Sequence, residues 1–274
     1  MKLFLFFLTV LSIFILFSCQ QTGFLNKPET SGKAGSEGLT EVAGLDTVIS
    51  SAEGSNSPIY LFDFSAIKLV PTNSIDIEIK NYALYQDIYG DLLIFGEILN
   101  NSGTIKTNLE ITFDFSDLSL ARIDFKKIPA YTEYLQPGKK IPFCIVYEDR
   151  SKYINLGEVK IGANYKNYNQ SFTGLPVLAD ENFFYYDDKM TIEGSLINLG
   201  LSDVENIVLI ATFYNLRNQV VSIRECYIEK NKLSVKEALD FSVTVLLDEY
   251  TPSLTHYKLE VFFRDSLKTR QAKV

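Results

Sequence analysis

Histidine occurs once, tryptophan not at all and cysteine only three times in 274 residues. A Ser-His or Cys-His catalytic set would have to use the single imidazole, His256. It sits in Thr255-His256-Tyr257-Lys258, where polar and apolar residues alternate as in a strand, so a solvent-facing strand histidine is expected. No Cys/His pair has ligand spacing, which excludes a zinc site. Positive charge is scarce too: 26 Lys and Arg face 34 Asp and Glu, giving a net charge of −8 and a pI near 4.9. Phosphate contacts need clustered positive charge, and no stretch supplies it, so nucleic acid is not an expected partner. What is plentiful is apolar material. At 46% hydrophobic and 13% aromatic, the chain can build one or two packed domains, and global disorder or a coiled-coil rod is ruled out.

The one long hydrophobic run is at the start. Met1-Lys2 is followed by Leu3 to Phe17, broken only by Thr9 and Ser12, which is the plan of a secretory signal peptide. The run stops short of the roughly 20 apolar residues that a spanning helix needs. It ends in Leu16-Phe17-Ser18-Cys19, which resembles the lipobox of bacterial lipoproteins: an aliphatic residue at −3, a small residue at −1 and Cys at +1. The resemblance implies cleavage after Ser18, so that 1–18 is a lipoprotein signal peptide. It also implies lipidation of Cys19 on its thiol, usually with palmitate-like acylation of the new amino terminus. Phe17 departs from the small residue of enteric boxes, and with the Phe/Ile/Asn/Lys/Tyr-rich composition the box is similar to those of spirochaetal lipoproteins. The location so implied is the bacterial cell envelope at its outer membrane, on either the periplasmic or the surface face. The membrane is then a partner through the N-terminal lipid. Each buried CH₂ contributes about 0.8 kcal/mol, so two or three acyl chains anchor a protein where one would not. An ordinary signal peptide with a coincidental cysteine, or an uncleaved anchor, is the alternative.

Residues 19–57 are rich in Gly, Ser, Thr, Glu and Ala with no apolar period, and read as a flexible tether reaching about 35 Å. Gly44 to Ser51 could instead dock as a short strand. After Pro58 the period is two, as in Ile75-Asp76-Ile77-Glu78-Ile79, Leu109 to Phe115 and Val159 to Ala163. Turn signals intervene at Asn101-Ser102-Gly103, Gln136-Pro137-Gly138, Asn198-Leu199-Gly200 and Asn215 to Asn218. Ser234 to Asp240 is the best helical window. Sliding the chain by 98 residues superposes Gly96 on Gly194, Asn100 on Asn198, Asn108 on Asn206, Phe115 on Phe213, Leu135 on Leu233 and Phe143 on Phe241. The alternation keeps the same register, and a one-residue slip would turn every apolar face outward. The expected fold is therefore all-β, with two tandem antiparallel sandwiches over 58–176 and 177–274 and a boundary at Gly174-Leu175-Pro176.

At these residues the chain resembles the FxLYD-like group of immunoglobulin-like modules of exported bacterial proteins. The first half supplies Gly96-Glu97-Ile98-Leu99-Asn100 with Gly103, then Phe115-Ser116-Asp117, then Leu135-Gln136-Pro137-Gly138 and Phe143. The second supplies Gly194 to Asn198 with Gly200, then Phe213-Tyr214-Asn215, Leu233 and Phe241, but Val235-Lys236 replaces Pro-Gly. The resemblance implies an immunoglobulin-like sandwich and names no ligand.

Candidate chemistry is thin. Asp180-Glu181 and Asp187-Asp188 flank Asn182-Phe183-Phe184-Tyr185-Tyr186 near the boundary, where oxygen ligands could hold calcium or where charged loops simply face water. Cys144 and Cys226 are not equivalent at the 98-residue offset; a bridge between them and two buried thiols are both open. Phe183 to Tyr186 and Tyr165 to Tyr168 could stack on a sugar or a protein. The expectation is an envelope binding or structural module without catalysis, either an adhesin or an assembly accessory, with no cofactor and no metal. Its partner would be a protein or glycan. The competing reading is an envelope hydrolase using carboxylates near the junction, recognisable by a concavity that gathers Asp187, Asp188 or Glu193 with another acid.

Overall fold

The computed structural model describes residues 66–87, 91–148, 155–186, 188–247 and 254–266. The signal peptide, Cys19, the tether and Gly44 to Ser51 lie outside the described residues. Sixteen strands follow in order: β1 (Lys68–Pro71), β2 (Ile77–Gln86), β3 (Leu92–Asn100), β4 (Ile105–Asp117), β5 (Arg122–Pro129), β6 (Tyr134–Leu135), β7 (Lys140–Tyr147), β8 (Leu156–Tyr168), β9 (Pro176–Tyr186), β10 (Lys189–Asn198), β11 (Val204–Tyr214), β12 (Val220–Glu225), β13 (Tyr227–Ile228), β14 (Lys232–Leu233), β15 (Ala238–Leu246) and β16 (His256–Asp265). The fold is all-β, as its period-2 patterning predicts. Strands β2-β3-β7 form one sheet and β1-β8-β4-β5, with β6 on β4, a second; β13-β15-β10-β9 form a third, and β12, β14 and β16 surround β11 in a fourth. Among the described residues every strand pairing stays within 68–168 or within 176–265. One pair departs from the antiparallel expectation: β1 runs parallel to β8 along its outer edge.

The 98-residue register is written into the turns. Asn100 and Asn198 are fully buried, and each donates its amide to two carbonyls: Thr104 and Leu135 at 2.8 and 2.9 Å, Ser202 and Leu233 at 2.8 and 3.2 Å. Asn108 and Asn206 adopt φ of 51° and 53° at matching bulges in β4 and β11. Gly96 and Gly194 each lie beneath a phenylalanine ring, Phe143 and Phe241, that a Cβ would strike. Asp117 and Asn215 close the equivalent hairpins by accepting two backbone N–H groups each, at 2.8 to 3.0 Å.

The predicted helix over Ser234 to Asp240 does not form. Lys236 takes the left-handed conformation (φ 67°) that Gly138 takes in the first half (φ 73°). Their N–H groups bond Asn198 and Asn100 carbonyls respectively, both at 2.8 Å. The turn is thus the same without Pro-Gly, and Leu239, Phe241, Val243 and Val245 then alternate into the core as β15, which outweighs local helix propensity. Cys144 and Cys226 are not joined to each other: Cys226 is a free, buried thiol pushed up to about 12 by burial.

The halves are packed together, a feature the alternation argument did not foresee. Strand β3 is buried on both faces. Ile94, Gly96 and Ile98 face Phe113 and Phe143 in their own sandwich, while Leu93, Phe95 and Glu97 face β11 and β12 of the second half. One apolar cluster consequently runs through both halves, joining Leu93, Phe95 and Ile145 to Ile210, Tyr214, Val220 and Phe262. Across it the Tyr214 hydroxyl donates to Glu97 Oε1 at 2.5 Å, and Asn81 and Lys140 satisfy Oε2. Gln136 donates to the Phe263 carbonyl at 2.8 Å and Lys139 pairs with buried Glu260 at 2.9 Å, so the outer edge of β16 is covered by the β6–β7 turn.

Candidate functional site on the open sheet of the second half

The sheet β9-β10-β15-β13 has one face on its own core and the other in water. Its register fixes what the outer face displays. Asn182, Glu193, Ser242 and Tyr227 stand in one row across the four strands, and Ser195 and Asp240 form the next. At the second row β9 bulges: Asp180 takes φ 52° and the pairing shifts between Glu193 and Ser195. The bulge bends the edge over the sheet, as bulges do. The result is a shallow concavity of about 640 Å³ in which Asp180, Glu193, Glu229 and Asp240 sit between the rings of Phe184 and Tyr227. No lysine or arginine lines it. A smaller hollow of about 570 Å³ under the 228–237 turn mixes Lys230, Lys232, Glu229 and Glu237, and its charges compensate one another.

Of the acids predicted near the boundary, the structure brings Asp180 together with Glu193 and adds Glu229 and Asp240, which spacing did not flag. Glu181 points the other way and accepts from the Tyr257 hydroxyl at 2.7 Å; burial, then Glu181, holds that phenol above its usual range. Asp187 lies outside the described residues, and Asp188 does not line the concavity. No group of three or more His, Cys, Asp or Glu is arranged to hold a metal among the described residues, so the calcium option finds no ligand set there. His256 is exposed on β16, stacked on Tyr214 with centroids 4.8 Å apart and bonded to Thr255 and Asn218. That is the solvent-facing strand position expected of it.

The two predicted aromatic runs part company. Tyr165 lies beneath the ammonium of Lys106, a wholly buried lysine that also bonds Asp76 and Asn167 at 2.7 and 2.6 Å. Tyr168 packs on Tyr134 and Phe172, and Phe172 on Phe263, so this run joins the halves. Phe183 to Tyr186 instead stay exposed by 54 to 76% along β9, the outer strand of its sheet.

No protein-family model and no curated protein matches the chain. Among solved structures it is similar to a transglutaminase from red sea bream, at 13% identity and a TM-score of 0.22 over 71% of this chain and 29% of that one. It is also similar to an exo-chitosanase from Amycolatopsis orientalis, at 9% identity and a TM-score of 0.24 over 67% of this chain and 25% of that one. The chain thus spans less than a third of the length of either protein.

Proposed function

We propose that this chain is a lipid-anchored protein of the bacterial cell envelope, tied to the outer membrane through Cys19, whose two tandem sandwiches (58–176 and 177–274) form one stiff, non-catalytic binding module. The observation that carries the reading is the burial of both faces of β3 between the halves, with Glu97 held by Tyr214 across the join. An interface that large and apolar suppresses hinge motion. The tether sets the body off the lipid, and the free face and edge of the second half are what such a body would offer to a protein or glycan. Support for the anchor is the run Leu3 to Phe17 ending in Leu16-Phe17-Ser18-Cys19.

Two measurements test the reading. Mass analysis of the mature amino-terminal peptide is expected to find Cys19 acylated at sulfur and nitrogen; a Cys19 sulfur that is unmodified or in a disulfide overturns the anchor. Protease shaving of intact cells then separates an adhesin, which is lost, from a periplasmic accessory, which survives. A hydrolase remains the second reading because Glu193 does share a concavity with other acids, Asp180 and Asp240 among them. Glu193→Gln in a glycan-hydrolysis screen decides it: turnover by the native chain that this change abolishes establishes the enzyme and removes the binding-module reading.

A further inference from the structure

Open strand edges are templates for pairing with another chain, and folded proteins blunt them with charge, proline, brevity or cover. Among the described residues most edges are blunted. β1 has four residues and ends in Pro71; β5 carries Arg122, Lys126 and Lys127; β7 carries Pro142; β6, β13 and β14 have two residues each. β2 has no exposed residue, β12 is packed against β2, β3 and β7, and β16 is covered by Gln136. Among the described residues β9 presents the longest continuously exposed edge. It is eleven residues long, exposed without interruption from Asp180 to Tyr186, with no lysine or arginine and with its single proline at the first position.

We infer that β9 pairs with β9 of a second copy of this chain, antiparallel about a twofold axis through Phe183, joining two four-stranded sheets into one of eight. Exposure and charge together favour this register: the uninterrupted exposed stretch Asp180 to Tyr186 is centred on Phe183, so an axis there pairs all seven of its residues, with Asp180 meeting Tyr186 and Glu181 meeting Tyr185, so that no carboxylate faces another. Area supports a second copy as the occupant. Four aromatic side chains of 150–250 Å² each, exposed by 54 to 76%, offer up to roughly 500 Å² per chain, so that a pair can approach the roughly 1,000 Å² of a specific interface once the paired backbone is added. The acids flanking the aromatic run oppose its insertion among anionic lipids. Self-pairing is isologous and closes, so it yields a dimer rather than a fibre. It also carries both acidic concavities on one continuous sheet.

The test is register-specific disulfide trapping in the full chain. Directly opposed residues in an antiparallel pair have Cβ atoms about 5 Å apart, within reach of a disulfide after slight adjustment, whereas residues three positions off register are not. Phe183→Cys is expected to give a non-reducing band at twice 31.1 kDa, at least about tenfold stronger than the band from Tyr186→Cys. Adding Tyr185→Glu to Phe183→Cys is expected to abolish it, because the new carboxylate would face Glu181 of the second copy at both ends of the pair, while adding Leu216→Glu on an exposed loop should leave it intact. Absence of the Phe183→Cys band, equal bands from positions 183 and 186, or trapping of a protein of another mass overturns the proposal; the last two would mean non-specific contact and a foreign strand. The outcome is independent of whether Cys19 is acylated.

Discussion

Tyr214→Phe deletes one oxygen at the join of the two halves. The hydroxyl donates to Oε1 of Glu97, a carboxylate only 1% exposed, whose other oxygen is served by Asn81 at 2.5 Å and Lys140 at 3.3 Å. Removing it leaves Oε1 buried beside a methine, and a hydrogen bond to a charged group is worth about 1.5–3 kcal/mol. With a urea slope of about 3 kcal/mol/M, the unfolding midpoint should fall by roughly 0.7 M at pH 8. The pH dependence supplies an internal check. Burial first, and then Glu97, raise the Tyr214 phenol well above its ordinary value of 10.0. A proton held more tightly in the folded state stabilises fully below the unfolded pKa near 10 and is lost as pH rises through the folded value. The native chain should therefore lose about 1.4 kcal/mol per pH unit above pH 10 from this group, and the phenylalanine variant should not. Tyr85, Tyr131 and Tyr257, also raised by burial, titrate in both proteins and cancel in the difference. The gap between the two urea curves should close between about pH 10 and 11.5. A midpoint unchanged at pH 8, or a gap that persists undiminished to pH 11, would refute the cross-join hydrogen bond.

Lys236→Gly should raise the urea midpoint by an amount equivalent to about 0.5–1 kcal/mol, since a left-handed φ of 67° strains a residue with a side chain and suits glycine; a lower midpoint would mean that Lys236 has a contact worth more than that strain. Gly96→Ala should cost about 1–3 kcal/mol by driving a methyl into the Phe143 ring, and Phe143→Leu in the same chain should return part of it, which a double-mutant cycle measures. Asn100→Ala and Asn198→Ala should each cost about 1–3 kcal/mol, because each orphans one buried carbonyl, that of Leu135 or Leu233, and frees a half-buried one; a much milder effect at one site would show that the two turns are not mechanically equivalent. Cys226 should resist a thiol reagent at pH 8 until the chain is unfolded, read as the rate of thiolate release.

Much of the second-level organisation was legible because it rests on strictly local rules repeated at one interval. Asn100 and Asn198, Gly96 and Gly194, and Phe143 and Phe241 come into view by sliding the chain along itself, and each pair plays one physical role in the two turns and cores. The join between the halves was not read, although a signal existed. Leu92-Leu93-Ile94-Phe95 breaks the alternation with an unbroken apolar run, which is how a strand buried on both faces is written. Ile207-Val208-Leu209-Ile210-Ala211 in β11 carries the same mark. The false helix had a different cause. Lys236 stands where the first half has Gly138, and a lysine gives no hint of left-handed backbone; only its equivalence to a glycine at the 98-residue offset does. The acidic concavity depends on which strands lie beside β10, so Asp240 and Glu229, some forty residues beyond Glu193 in sequence, could not be joined to it by spacing alone.

That same equivalence explains why the second half has an open face while the first does not. Leu93, Phe95, Pro142 and Cys144, which lie toward the join, correspond to Thr191, Glu193, Asp240 and Ser242 on the outer face of the second sheet. Backbone and register match, yet one surface is written for burial and the other for water. Exchanging a single residue between the copies should therefore have opposite consequences. Phe95→Glu would place an unpaired carboxylate at a position only 4% exposed and beside Glu97, which costs 3 kcal/mol or more and should split one cooperative unfolding transition into two as the halves separate. Glu193→Phe lies on an exposed face and should leave the urea midpoint within about 0.5 kcal/mol of native while lowering solubility. A single undivided transition in Phe95→Glu, at the native midpoint, would mean that the two sandwiches do not stabilise one another, and the stiff module inferred from their shared core would fall with it.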